Sequence, residues 1–370
     1  MAVASGGESL AATLDRLTAE GELYERLDNR RVRCFACGHR CVILEGLRGI
    51  CKVRFNQEGM LLAPRGYVAG LQADPVEKKP FFHVLPGSVA LTFGMLGCDF
   101  HCPYCQNWLT SQALRDGDAG TAPRLTSARE IARLAESSDA RVVASSYNEP
   151  LITSEWAREV FAEIRRDGRA TAFVSNGNAT REALEYLRPF TDAYKIDLKS
   201  MSSARYRKLG GRLEHVLDAV QMVHDMGFWL EIVTLVVPGW NDSDAELAAA
   251  ARFIAGVSLD VPWHVTAFHR DYRMLDPNDT TAAHLVRAAA IGREAGLRYV
   301  YAGNLPGRVG ELEDTLCPGC GHALIRRRGY RILANELTVA GACPKCGTAI
   351  PGLWSVDSLE SWRRIALTQA

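Results

Sequence analysis

The segment Phe93-Gly94-Met95-Leu96-Gly97-Cys98-Asp99-Phe100-His101-Cys102-Pro103-Tyr104-Cys105-Gln106-Asn107 decides how the chain is read. It sets three cysteines at spacings of four and three residues, just after a strand-like run at 89–93. Iron–sulfur clusters favour thiolate ligands, and a four-iron cluster ordinarily takes four. Three thiolates from one loop can wrap three corners and leave one iron open, and an open metal position is what catalysis needs. Gly94 and Gly97 allow close backbone approach there. The competing reading is a zinc site completed from elsewhere, for example by His101. Zinc sites more often use paired Cys-x-x-Cys units, and this chain has such units at its other end.

Outward from the loop, strand-like runs rich in Val, Ile, Phe, Tyr and Thr recur at 141–146, 171–175, 193–198, 229–237, 263–268 and 298–301. Amphipathic helical patterns separate most of them, at 127–134, 154–164, 181–187, 213–226, 245–254 and 282–295, with Ser127 as a plausible cap. Strand–helix–strand repeats imply parallel strands covered by helices. About seven strands suggest an α/β fold built as an incomplete parallel (β/α) barrel, although the pattern alone also fits a doubly wound sheet. Polar, reactive or turn-forming residues follow each strand end: Cys98, then Asn148 and Glu149, Asn176 and Gly177, Asp197 and Lys199, Pro238 to Asn241, His269, and Gly303 with Asn304. That end of a parallel barrel is where active sites sit. Alternation puts Lys195, Asp197 and Lys199 on one strand face. Three charges on one face are costly to bury unless paired or bound to a ligand.

The triad loop resembles the Cys-x-x-x-Cys-x-x-Cys signature of the radical S-adenosylmethionine superfamily, down to the aromatic residue, Tyr104, before the third cysteine. The resemblance implies a 4Fe-4S cluster on Cys98, Cys102 and Cys105. It also implies S-adenosylmethionine on the open iron and reductive cleavage to a 5′-deoxyadenosyl radical that abstracts hydrogen, with an electron donor such as flavodoxin or ferredoxin. Tyr104 would lie near the adenine. Glu149, in Tyr147-Asn148-Glu149-Pro150, would face the amino group. Many members have Gly-Gly-Glu-Pro there, which leaves the role of Asn148 open. Ser175 and Asn176 would contact the ribose or methionine part. Asp197 and Lys199 resemble the Asp-x-Lys of pyruvate formate-lyase activating enzyme, whose lysine meets the carboxylate. Thr266-Ala267-Phe268-His269 resembles that enzyme's histidine-bearing loop, and 236–242 matches the same subgroup. His264, two residues inside a strand pattern, reads as a satisfied core histidine.

The chain has eleven cysteines: three in the triad, four at 34, 37, 41 and 51, and four at 317, 320, 343 and 346. Clustered thiols at short spacing suggest metal ligation rather than a disulfide framework. Cys317-Pro-Gly-Cys320 and Cys343-Pro-Lys-Cys346, separated by a hairpin-like stretch, read as a zinc ribbon, with zinc favoured over iron. Cys34, Cys37, Cys41 and Cys51 could bind zinc or an auxiliary iron–sulfur cluster, and spacing does not separate the two. Three blocks follow: an N-terminal cysteine-rich module (1–85, with turn-rich segments such as Ala73-Asp74-Pro75), the barrel (86–305), and a zinc-ribbon-like module with a helical tail (306–370).

Lys plus Arg and Asp plus Glu each number 43, so no charge excess points to nucleic acid. The adjacent Arg326, Arg327 and Arg328 read as a solvated face. No run has the length of a membrane span. After an opening with Gly and Ser, Leu10, Leu14, Leu17, Leu23 and Leu27 read as an amphipathic helix or pair of helices rather than a secretion signal, so a cytoplasmic protein is expected. The order of modules, ending in Ile350-Pro351-Gly352, resembles the radical enzyme of the AmmeMemoRadiSam system, which implies Memo-type and AMMECR-type partners. The expected activity is hydrogen abstraction from an unidentified substrate. A glycyl-radical activase acting on a protein glycine is one alternative, and a non-catalytic metal-binding scaffold another.

Overall fold

The alternating pattern folds into one eight-stranded sheet in a computed structural model that describes residues 9–368. Its strands are β1 (Gly70–Pro75), β2 (Val89–Gly94), β3 (Ala140–Ser145), β4 (Ala170–Ser175), β5 (Ala193–Asp197), β6 (Trp229–Val236), β7 (Trp263–Ala267) and β8 (Val300–Gly303). They are ordered in sequence across the sheet. β2 to β8 run parallel, and β1 lies antiparallel to β2 at one edge. The parallel strands are buried nearly throughout, as expected where helices cover one face and side chains fill the other. Phe93 pairs with Ser145, Ser175 with Ile196, and Asp197 with Val233, so the strand ends are in step and their loops gather at one rim.

The helices begin where their caps dictate. Ser127 Oγ accepts from Glu130 N at 3.2 Å, and Glu130 returns a carboxylate oxygen to Ser127 N at 2.6 Å. This capping box opens helix Ala128–Ser137. The two edge strands do not pair, so the sheet stays open. Pro75 of β1 and Ala302 and Gly303 of β8 nevertheless border one cavity of about 930 Å³. The sheet therefore curls until its edges face each other across a lateral gap.

Three sequence expectations need correction. Residues 73–75 are not a turn: they end β1, whose register runs Gly70 to Gly94 through Pro75 to Val89. The leucine pattern near the N-terminus, read as a helix or pair of helices, is helical only over Leu10–Arg16; Leu17, Leu23 and Leu27 lie beyond it, where the chain forms strands Thr18–Glu20 and Tyr24–Arg26. The Gly- and Ser-containing opening lies outside the described residues. Of the three arginines, the middle one turns inward. Arg327 is buried over the Phe82 ring and donates to Thr315 Oγ1 and Phe82 O.

The last block forms a three-stranded antiparallel sheet, Thr315–Leu316, Ala323–Arg328 and Arg331–Asn335. Its core of Cys317, Leu324, Ile325, Cys343 and Ile350 packs on Phe82, Tyr299 and Tyr301. The chain then closes the N-terminal end of the strands. Leu353 and Leu359 pack with Ala90, Ala170, Ala193 and Trp229, and Arg363 forms a two-pronged pair with buried Asp192 at 2.7 and 2.8 Å. Among the described residues no helix is long and apolar enough to cross a membrane.

Candidate active site

The triad loop leaves β2 where two glycines let it pass. A side chain on Gly94 would stand 2.4 Å from Ser146 O. Gly97 has φ +91°, and its Cβ would fall 2.7 Å from Val53 Cγ1. Beyond them the loop is pinned by its backbone. Gln112 Nε2 and Arg115 Nη1 both donate to Phe100 O, at 3.2 and 2.8 Å, and His101 N donates to Leu209 O. Cys102 is buried, and Cys98 and Cys105 are half-buried. Ser111 Oγ lies 3.2 Å from Cys105 Sγ. His101 is exposed and packs on Gly210. No ion-sized group of ligand atoms includes it or the triad among the described residues.

The three cysteines open on one cavity of about 150 Å³, together with Asn148, Glu149, Ser175, Asn176, Asp197 and Lys199, drawn from three further strand ends. Acidic and basic groups both line that cavity. Glu149 is buried and accepts from Ser175 Oγ at 2.7 Å, Asn176 N at 2.6 Å and Leu151 N at 3.1 Å. Asp99, fully buried, accepts from the side-chain amides of Asn176 and Asn178 at 2.7 and 2.8 Å. Neither carboxyl has a lysine or arginine partner among the described residues. Burial, and then the negative charge of Asp99, push the Glu149 carboxyl up to about 8. Lys195 and Lys199 both reach Asp197, Lys199 at 3.1 Å. Burial works against ionisation of Asp197, but the two ammonium groups outweigh it and hold the carboxyl down at about 2. Two lysines share one carboxylate, leaving a positive charge in excess.

The residues present fit a three-thiolate cluster and an amino-acid ligand. Three thiols from one loop open on one space, a carboxyl without a cation partner can take an ammonium, and a spare cation can take a carboxylate. Asn148 works on the backbone: its Oδ1 accepts from Met95 N at 3.0 Å and so holds the start of the triad loop. Tyr104 and His269 do not line this cavity. Tyr104 is buried edge-on to Trp240, at 6.2 Å between centroids. His269 is exposed and lines the larger lateral cavity, as do Gln106, next to Cys105, and Thr266. His264 is buried with Nε2 2.6 Å from Glu231 Oε2, a satisfied core histidine at the margin of that same cavity.

Sequence reading missed Asp99 and Asn178 as site-building residues, and placed Asn241 at a strand end without giving it a role. Asn241 Nδ2 donates to Lys199 O and Leu235 O, both at 2.9 Å, and so fixes the backbone that carries Lys199. Asn178 closes the run Ser175-Asn176-Gly177-Asn178, and its spacing from Asn176 was the one available signal. At the far end of the chain, Cys317, Cys320, Cys343 and Cys346 bring their sulfurs within 4.8 Å of one another and could hold a metal ion.

The three-cysteine loop after the first parallel strand lies within residues 93–251, which match the family profile described as the Radical SAM superfamily. More narrowly, the chain belongs to one family with the uncharacterized protein MJ0808 of Methanocaldococcus jannaschii, to which it is 34% identical over 334 residues, covering 90% of this chain and 98% of that one. It is 28% identical over 194 residues to the pyruvate formate-lyase 1-activating enzyme of Escherichia coli K12, covering 50% and 78% of the two chains. Among solved structures, a domain of the pyruvate-formate lyase-activating enzyme of Bacteroides vulgatus superposes with a TM-score of 0.39 at 20% identity, covering 44% of this chain and 98% of that one.

Proposed function

We propose that this protein cleaves S-adenosylmethionine reductively and uses the product radical to take a hydrogen atom from a substrate in the lateral cavity. The observation that carries this reading is the pairing of the triad with acidic and basic groups around one small space. Bound there, the cluster and S-adenosylmethionine would supply a 5′-deoxyadenosyl radical. The chain's own part is to orient and shield. Cys98, Cys102 and Cys105 hold three corners. Glu149, with Asp99 behind it, receives the ammonium, and Lys199 and Lys195 receive the carboxylate. Asn148, Ser175 and Asn176 lock the loops that carry these groups. Gln106 and His269 lie in the wall of the larger cavity, where a substrate would approach.

The test is anaerobic reconstitution followed by reduction with S-adenosylmethionine present. 5′-Deoxyadenosine should form, and Cys102→Ala should abolish it. A fully loaded cluster that yields none would favour a metal-binding scaffold. The likeness to activating enzymes supports a protein glycine as one substrate class, which deuterium transfer from labelled glycine into 5′-deoxyadenosine would reveal. The tight sulfur set of the C-terminal module supports zinc there. The module order supports action together with Memo-type and AMMECR-type proteins.

A further inference from the structure

The four N-terminal cysteines are the largest group of reactive side chains that this function leaves unused. Cys34, Cys37 and Cys51 are buried, Cys41 is half-buried, and none is in a disulfide. All four line one small cavity with Arg54 and Ile152. The spacing of their sulfurs tells what size of guest they suit. A single zinc ion with bonds of about 2.3 Å holds its four sulfurs roughly 3.8 Å apart. The C-terminal set matches that: Cys317 and Cys346 are 3.5 Å apart, Cys320 and Cys343 3.7 Å, and all four lie within 4.8 Å of one another. Among the described residues it is the only group of three or more metal-binding side chains drawn that close. No three of the N-terminal sulfurs are, and neither are the three of the triad. A cubane cluster holds its thiolates at separate corners, on the order of 6 Å apart. The N-terminal set, like the triad and unlike the ribbon, is therefore not drawn to the spacing of a single tetrahedral ion. The void between its cysteines is about 10 Å³, so a cluster would enter only as the four thiols turn aside about their side-chain bonds.

Arg54 supplies an independent observation. It is 1% exposed, and its two terminal nitrogens are spent on Glu155 and Ile152 O. Its Nε–H has no partner. A buried donor left unpaired is costly, and it borders the same cavity as the four cysteines, where an anionic guest would accept from it. The module also abuts the triad. A Cβ on Gly97, next to Cys98, would stand 3.1 Å from Cys51 O. Arg115 ties Phe100 O to Ile50 O, at 2.8 and 2.5 Å.

We propose that Cys34, Cys37, Cys41 and Cys51 hold a second 4Fe-4S cluster, closed by four thiolates, one contact layer from the triad. The test counts metals in the anaerobically reconstituted full-length protein. About eight irons and eight sulfides per chain are expected, with about one zinc. The Cys98→Ala, Cys102→Ala, Cys105→Ala triple variant should keep about four irons, and Cys37→Ala with Cys51→Ala should likewise halve the wild-type content. About four irons and two zincs in the wild type would overturn the proposal, and that count needs no variant to fold. Eight irons without 5′-deoxyadenosine would sink the proposed cleavage and leave this site standing. Four irons with cleavage would do the reverse.

Discussion

Glu149 shows how much one side chain does in this site. Its oxygens bind two strand-end loops together, yet neither is paired with a lysine or arginine among the described residues. An arriving ammonium would supply the missing cation, and Glu149 must be ionised to receive it. Because its free carboxyl sits near 8, a proton has to leave on binding. The affinity for S-adenosylmethionine should therefore rise between about pH 6 and about pH 8, by up to about tenfold per pH unit, and calorimetry should detect the released proton as a buffer-dependent heat. Glu149→Gln should bind more weakly and lose this dependence, whereas an unchanged affinity across that range would contradict the assignment. Glu149 could be picked out in the sequence because it follows a strand-like run in a Glu-Pro pair that resembles the superfamily's Gly-Gly-Glu-Pro. Asp99 could not. One aspartate in a loop looks like any other, and its partners Asn176 and Asn178 lie 77 and 79 residues away.

The parallel strands were readable for the same reason that they are stable. Buried on both faces, they must be apolar and β-branched, and the helices between them must be amphipathic. β1 escaped because an edge strand is paired on one side only. Gly-Leu-Gln-Ala-Asp-Pro, half-exposed or exposed throughout, carries no such pattern. The junction of β2 with its loop depends on Gly94, which lies against the loop that leads to Glu149. Gly94→Ala forces a methyl group to within 2.4 Å of Ser146 O, in backbone that cannot yield cheaply. It should cost about 1–3 kcal/mol of stability. A lower melting temperature and slower 5′-deoxyadenosine formation at full cluster loading would show the effect. An unchanged protein would mean that the β2 and β3 loops are looser than their packing indicates.

Across the whole molecule, the three cysteine sets were visible as sets, but their mutual placement was not. That the N-terminal set rests on the triad loop depends on contacts such as Gly97 on Val53. That the ribbon borders the lateral cavity depends on Arg328, Arg331 and Ile332 facing the far edge of the sheet. The ribbon should thus be separable from cleavage. Replacing its exposed pair, Cys320→Ser and Cys346→Ser, should abolish the metal binding proposed there and open 315–350 to limited proteolysis, while 5′-deoxyadenosine formation without substrate stays within about twofold. Loss of cleavage together with the metal would instead make the ribbon a support of the barrel core. The segment that follows the ribbon has a consequence in time. Leu353, Leu359 and Arg363 complete the floor beneath β2 to β6, yet the ribosome makes them after every strand they cover. During synthesis the nascent sheet, its cysteine loops already present, waits with an uncovered base for the helix that seals it.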